Sequence, residues 1–208
     1  EKLDAPVCNG YQHNDSFPGS HPLAVGPLGY NGSKAAMELI SKADVVLALG
    51  TRLNPFSTLP GYGIDYWPKK ATIIQVDMNP DRIGLTKKVS VGICGDAKQV
   101  AQQILDKLSS DAGNTGREER KNLIHKTKSA WLQTLSGLDH EEDDPGTVWN
   151  KEARERDKDR MSPRQAWRAI QDALPQDAII SSDIGNNCAI GNAYPTFEKP
   201  RKYLAPGL

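Results

Sequence analysis

Near the C-terminal end of the 208-residue chain, Asp183-Ile-Gly-Asn-Asn-Cys188 sets a glycine, two carboxamides and a thiol side by side. The apolar run Ala178 to Ile180 before it reads as a buried strand, and the small residues after it begin a helix. A glycine between strand and helix lets the backbone come close to a ligand, and the free N–H groups of a new helix attract an anion. The side chains of Asn186 and Asn187 add neutral donors. The chemistry on offer is binding of a phosphate or diphosphate through Gly185, Asn186 and Asn187. The same residue types also build an ordinary strand-to-helix turn. Cys188 stands where a helix N-terminus lowers a thiol pKa, but no histidine follows to act as a base, so it reads as a small packing residue.

Other residues could do chemistry, each with a plainer reading beside it. Gly50-Thr-Arg52 follows an apolar strand at its C-terminal end, where open α/β sheets bind ligands. Arg52 there contacts a phosphate or a partner domain, or simply begins a surface loop. Asp77 closes a later strand where nucleotide-binding sheets set an acid on a ribose, yet Asn79-Pro80 follows, so ordering a turn is the reading preferred. His13 and His21 share one loop, eight residues apart with Asp15 between. That spacing is too open for a metal site and points to loop packing or ligand contact. The acidic run Glu141 to Asp144 reads as a solvated loop. Trp131, Trp149 and Trp167 read as anchors tying helices to a core elsewhere.

The elements that must hold these residues alternate in the first half. Pro6–Asn9 predicts a short strand, and Tyr11–Gly32, with no strand or helix period, a long structured loop. Ser33 predicts the cap of a helix to about Lys42. Asp44–Gly50 predicts a strand buried on both faces, followed by strands at Thr72–Asp77 and Val89–Cys94. Asp96 caps a helix to about Leu108, with Val100, Ile104 and Leu108 inward. Arg117–Leu138 predicts a polar helix with a narrow stripe of Leu123, Ile124, Thr127, Trp131 and Leu135. Asn150–Arg160 is charged connector sequence. Ser162-Pro-Arg-Gln165 is a capping box opening a helix that buries Ala166, Trp167, Ile170 and Leu174. The fold class expected is α/β: a doubly wound parallel sheet, an incomplete central domain, plus the start of a second α/β domain. The boundaries fall at 1–108, 109–161 and 162–208.

Composition narrows the function classes. The 26 basic and 26 acidic residues cancel, so no net field draws the chain to nucleic acid or to an acidic membrane. No apolar run is long enough to span a bilayer. Three cysteines, odd in number and far apart, argue against a disulfide framework and for a reducing cytoplasm. A start at Glu1 and an end at Pro-Gly-Leu208 lead us to expect an excised piece of a longer protein.

Four groups of residues resemble a known family. Ala43-Asp-Val-Val-Leu-Ala-Leu-Gly-Thr-Arg52, Ile73-Ile-Gln-Val-Asp-Met-Asn-Pro-Asp81 and Gly95-Asp-Ala97 are similar to the central domain of thiamine diphosphate-dependent enzymes of the acetolactate synthase type. Ser182-Asp-Ile-Gly-Asn-Asn187 onward resembles the opening of their diphosphate-binding domain. The resemblance implies thiamine diphosphate and Mg2+ as cofactors, small-molecule substrates, and a homodimer or homotetramer with the cofactor between subunits. It implies that Gly185, Asn186, Asn187 and Cys188 lie against the diphosphate. Acetolactate synthase carries glutamine and histidine types in that stretch, where this chain has asparagines and a cysteine. The family's catalytic glutamate belongs to an N-terminal domain, and its Gly-Asp-Gly…Asn metal motif would fall after Leu208. The resemblance thus implies no catalytic or metal-binding residue here, and a chain inactive by itself. Gly29, Tyr30, Asn31, Gly50, Thr51, Arg52 and Asp77 match the region that binds FAD or a nucleotide in some members, and are expected to form a vestigial or structural pocket. A reading of another class is a non-catalytic nucleotide-binding module built on the central sheet.

Overall fold

The computed structural model describes residues 1–139 and 160–205. Its elements are β1 (Val7–Asn9), β2 (Ala24–Pro27), α1 (Lys34–Ile40), β3 (Val45–Leu49), β4 (Thr72–Asp77), β5 (Val91–Cys94), α2 (Ala97–Lys107), α3 (Arg117–Asp139), α4 (Pro163–Ala173), β6 (Ile180–Ser181), α5 (Asn186–Gly191) and β7 (Tyr203–Leu204). Every ladder among them is parallel: β1 with β2, β3–β4–β5, and β6 with β7. The α/β class follows from this alternation of parallel strands and helices.

The short helix α1 organises the packing. Ser33 caps it as expected, its hydroxyl accepting the Ala36 N–H at 3.2 Å. Seven residues are too few for a helix to persist unaided, so burial must hold it. Ala36 and Met37 are wholly buried against Leu23, Val25, Leu28, Tyr66 and Ile124. Ala35 turns toward a second cluster with Trp131, Leu135, Leu138 and Tyr194. A third, smaller cluster joins Ala48, Leu53 and Ile73.

The polar look of α3 understates its role. Ile124, Thr127, Trp131 and Leu135 are buried, whereas Leu123, at the edge of the expected stripe, stays exposed. The helix packs on α1 and α4 through this stripe. Charged residues fill its other face, which lowers its average hydropathy without weakening the seam. The acidic run Glu141 to Asp144 and Trp149 lie outside the described residues.

Several expectations are corrected. The long loop contains a strand, β2, which Gly26 and Pro27 disguise: Gly26 has φ +89° and interrupts any alternation. The β3 strand is not buried on both faces, since Val45, Leu47 and Leu49 are exposed and only Ala48 is buried. Its apolar run was a sound strand signal, but it carries no information about which faces are covered. Val100, Ile104 and Leu108 on the α2 side are only half-buried. In α4 the capping box forms as predicted. Yet Ile170 is exposed, and the buried residue is Arg164. The strand after it is only Ile180–Ser181, with Ile179 exposed.

Candidate functional site

The candidate turn is held between β6 and α5. Ile180 and Ser182 donate their N–H groups to the carbonyls of Lys202 and Leu204, both at 2.8 Å. That pairing ends β6 at a fixed place. The chain then turns at Asp183, whose carboxylate accepts the Ile184 N–H at 2.7 Å. Gly185 follows at φ +148°, ψ 179°, a region that essentially only glycine occupies. An added Cβ there would meet nothing within 4 Å, so the glycine is required for its backbone and opens onto free space. Asn186 and Asn187 begin α5, both exposed. The first N–H groups of an α-helix have no partner within it, so this end offers backbone donors beside two carboxamides.

The underside of the turn is pinned. Trp167 of α4 donates its indole N–H to the Asn187 carbonyl at 2.9 Å. The buried Cys188 thiol donates to the Gly185 carbonyl at 3.0 Å, and its sulfur lies 3.8 Å from the Tyr11 hydroxyl. With the thiol proton committed to Gly185, the phenol is the donor to sulfur. Burial first, and the Cys188 contact second, push the Tyr11 phenol above its ordinary range. Cys188 therefore serves packing and turn geometry. At the far end of α5, a Cβ on Gly191 would lie 2.4 Å from the Trp167 ring, so glycine is what lets α4 and α5 meet.

The four turn residues thus sit together, as their adjacency requires. A diphosphate suits this donor set: neutral amides and unpaired N–H groups face an open approach, with no carboxylate among residues 185–188 to repel it. The residues do fit the group.

In the expected nucleotide region several polar groups are taken up by contacts within the chain. Gly50–Arg52 and Asp77 end the adjacent strands β3 and β4. However, the Thr51 carbonyl is taken by the Gln75 amide at 2.9 Å, and the Asp77 carboxylate accepts the Asn79 N–H at 2.8 Å. The turn-ordering reading of Asp77 is therefore the observed one. Gly29, at φ +93°, lies so close to the next loop that a Cβ would clash with the Phe56 carbonyl. Tyr30 donates its N–H to that same carbonyl at 3.1 Å, and Asn31 takes a left-handed conformation at φ +54°.

His21 packs in the loop, its ring edge-on to Phe17 and its Nδ1 accepting the Leu23 N–H at 3.1 Å. His13 is exposed. Among the described residues, no group of three or more His, Cys, Asp or Glu side chains is placed to hold a metal ion. No helix among them is long and apolar enough to cross a membrane.

Sequence reasoning missed two structural residues of the region. Gln75, almost wholly buried, donates to Thr51 and Arg82 and accepts from Gly84 at 2.9 Å. Asn192, wholly buried at the end of α5, accepts the Gln12 N–H at 3.0 Å through its side chain. A lone polar residue inside an apolar strand, or after a run of small residues, was the available signal.

The site is an open glycine turn leading into a helix on a parallel α/β scaffold, the setting in which such folds present backbone donors. The comparisons name the family. Residues 1–104 match the model described as thiamine pyrophosphate enzyme, central domain, and the chain belongs to that family. Over all 208 residues it is 80% identical to a probable sulfoacetaldehyde acetyltransferase of Rhizobium meliloti (strain 1021), covering 35% of that protein. It is 78% identical to the sulfoacetaldehyde acetyltransferase of Roseovarius nubinhibens, covering 34% of it. Identity to acetolactate synthase isozyme 3 large subunit of Escherichia coli (strain K12) is 26%, again over the whole chain and 33% of that protein. The chain thus spans about a third of the length of these relatives.

Proposed function

We propose that the enzyme to which this chain contributes converts sulfoacetaldehyde and phosphate to acetyl phosphate and sulfite. The observation that carries this reading is the gap in identity: 80% to a relative of that name against 26% to an acetolactate synthase. When bound, thiamine diphosphate supplies the carbanion that attacks the aldehyde and lets sulfite leave. The part of this chain is binding and orientation. Backbone N–H groups of residues 185–188 and the amides of Asn186 and Asn187 hold the diphosphate oxygens. Cys188 and Trp167 keep the turn in the conformation that presents them. In this reading Mg2+ would be held by ligands outside this chain, and the catalytic acid would likewise come from elsewhere in the enzyme.

The same reading divides the chain at 1–108, 109–161 and 162–208, as central domain, connector and start of the diphosphate-binding domain. The family match ending at residue 104 supports the first boundary. Gly29, Tyr30, Asn31, Gly50, Thr51, Arg52 and Asp77 are read as a vestigial or structural pocket, a reading supported by the internal bonds of the Tyr30 N–H, the Thr51 carbonyl and the Asp77 carboxylate. A cytoplasmic homodimer or homotetramer completes the proposal.

The test is product analysis on the full-length enzyme. Sulfite release from sulfoacetaldehyde that requires both phosphate and thiamine diphosphate supports the proposal. Carbon dioxide release from a 2-oxo acid, without sulfite formation, overturns it.

A further inference from the structure

The Tyr11–Asp15 stretch of the loop that carries no secondary-structure period bonds to the elements on either side of the turn. In Tyr11–Asp15, only His13 makes no such contact. The Tyr11 hydroxyl meets the Cys188 sulfur at 3.8 Å. The Gln12 N–H donates to the Asn192 side chain at 3.0 Å. The Asn14 amide donates to the carbonyls of Asn192 at 3.0 Å and Pro195 at 2.8 Å. One carboxylate oxygen of Asp15 accepts the N–H groups of Lys202 at 2.8 Å and Tyr203 at 3.2 Å.

These contacts are distributed with respect to Gly185. Cys188 lies in the first turn of α5 and Asn192 is its C-terminal cap, so the loop contacts the helix after the turn at two places. Lys202 and Tyr203 enter β7, the strand that pairs with β6 and sets where the strand before the turn stops. Strand and helix are thus both referred to one five-residue loop from the other end of the chain. Gln12 takes φ +58° to make its contact, an uncommon conformation for a residue with a Cβ. The Asp15 bonds are charge-assisted, the stronger kind.

We infer that the Tyr11–Asp15 loop is the positioning element of the diphosphate turn, with Asp15 its principal contact. The inference rests on the reading of that turn in the proposed function. Asp15 does not touch the ligand; it acts through β7 and β6 on the placing of Gly185, Asn186 and Asn187. A second link between the same segments provides a contrast. Glu198 accepts the Ser20 N–H at 2.9 Å and the Ser20 hydroxyl at 2.7 Å, but at the exposed surface and outside the β6–α5 unit.

The experiment is titration of thiamine diphosphate, with Mg2+ saturating, into full-length wild-type enzyme and its Asp15→Asn, Asp15→Ala and Glu198→Ala variants, each paired with kcat at saturating cofactor. The expected order is a two- to threefold rise in cofactor Kd for Asp15→Asn and about tenfold for Asp15→Ala. Glu198→Ala stays at the wild-type value, and kcat at saturation stays within about twofold throughout. If Asp15→Ala does not fold, Asp15→Asn carries the test, since its amide oxygen can still accept both N–H groups without the charge. Cofactor affinity unchanged in Asp15→Asn and in whatever Asp15→Ala folds, or lowered equally by Glu198→Ala, overturns the inference. Failure of the wild type itself to bind thiamine diphosphate overturns the underlying proposal instead.

Discussion

Asn192 and Gln12 are joined by a single bond across 180 residues of sequence, the Asn192 side-chain carbonyl accepting the Gln12 N–H at 3.0 Å. Both residues are buried. Replacing Asn192 with alanine strands that N–H away from water, so Asn192→Ala should cost about 2 kcal/mol. Thermal denaturation of the full-length enzyme should show a lower Tm for the variant.

Gly29 and Gly63 separate steric need from backbone need. Both have positive φ, +93° and +73°, but a Cβ at Gly29 runs into the Phe56 carbonyl while one at Gly63 meets nothing within 4 Å. Gly63→Ala should cost about 1 kcal/mol from backbone strain alone. Gly29→Ala should cost at least twice that, about 2–3 kcal/mol. Urea denaturation of the two variants side by side checks the ordering.

Trp131 and Leu132 are neighbours on α3 with opposite surroundings. Trp131 is buried against the Tyr62 ring at 5.4 Å between centroids, whereas Leu132 is exposed. Trp131→Ala should destabilise by about 3–5 kcal/mol. Leu132→Ala should stay within about 0.5 kcal/mol. Equal effects in denaturant titrations would mean that α3 does not pack as described.

Much of this arrangement could be read from sequence, and the misses have a common cause. Caps at Ser33, Asp96 and Ser162 are local chemistry, in which a side chain bonds an N–H three residues on, and all three form. The β4 strand falls at Thr72–Asp77 as expected. The exposed side of β3, the burial of Arg164 in place of Ile170, and the strand hidden at Gly26-Pro27 depend on which distant segments lie alongside. Periodicity reports that a residue could be buried, not what covers it. In the turn, the glycine was legible because its backbone need is local. The hold of Tyr11–Asp15 upon it was not, because each of those bonds crosses more than 170 residues.

Cys8 gives the fold a dependence on alkaline pH. Burial pushes its thiol up to about 12, and burial likewise pushes the Tyr203 phenol up to about 12. An unfolded thiol ionises near pH 8.5 and an unfolded phenol near pH 10. Above those values the unfolded chain releases protons that the folded chain keeps, so stability falls as pH rises. The contribution is therefore complete below about pH 8.5 and is lost progressively up to about pH 12. Urea denaturation between pH 8 and 11 should show this decline, and Cys8→Ala should make it shallower.

The role proposed for the Gly185 turn is to hold the diphosphate of thiamine. Asn186 and Asn187 are exposed, so replacing both with alanine should leave the fold intact. It removes side-chain donors to a charged ligand, each bond being worth about tenfold in affinity. The deciding measurement is the Kd of thiamine diphosphate, in saturating Mg2+, for full-length wild-type enzyme and the Asn186→Ala/Asn187→Ala double variant. The Kd of the variant should be at least tenfold higher, with an unchanged Tm in the absence of cofactor. Equal affinity in the two proteins would contradict it.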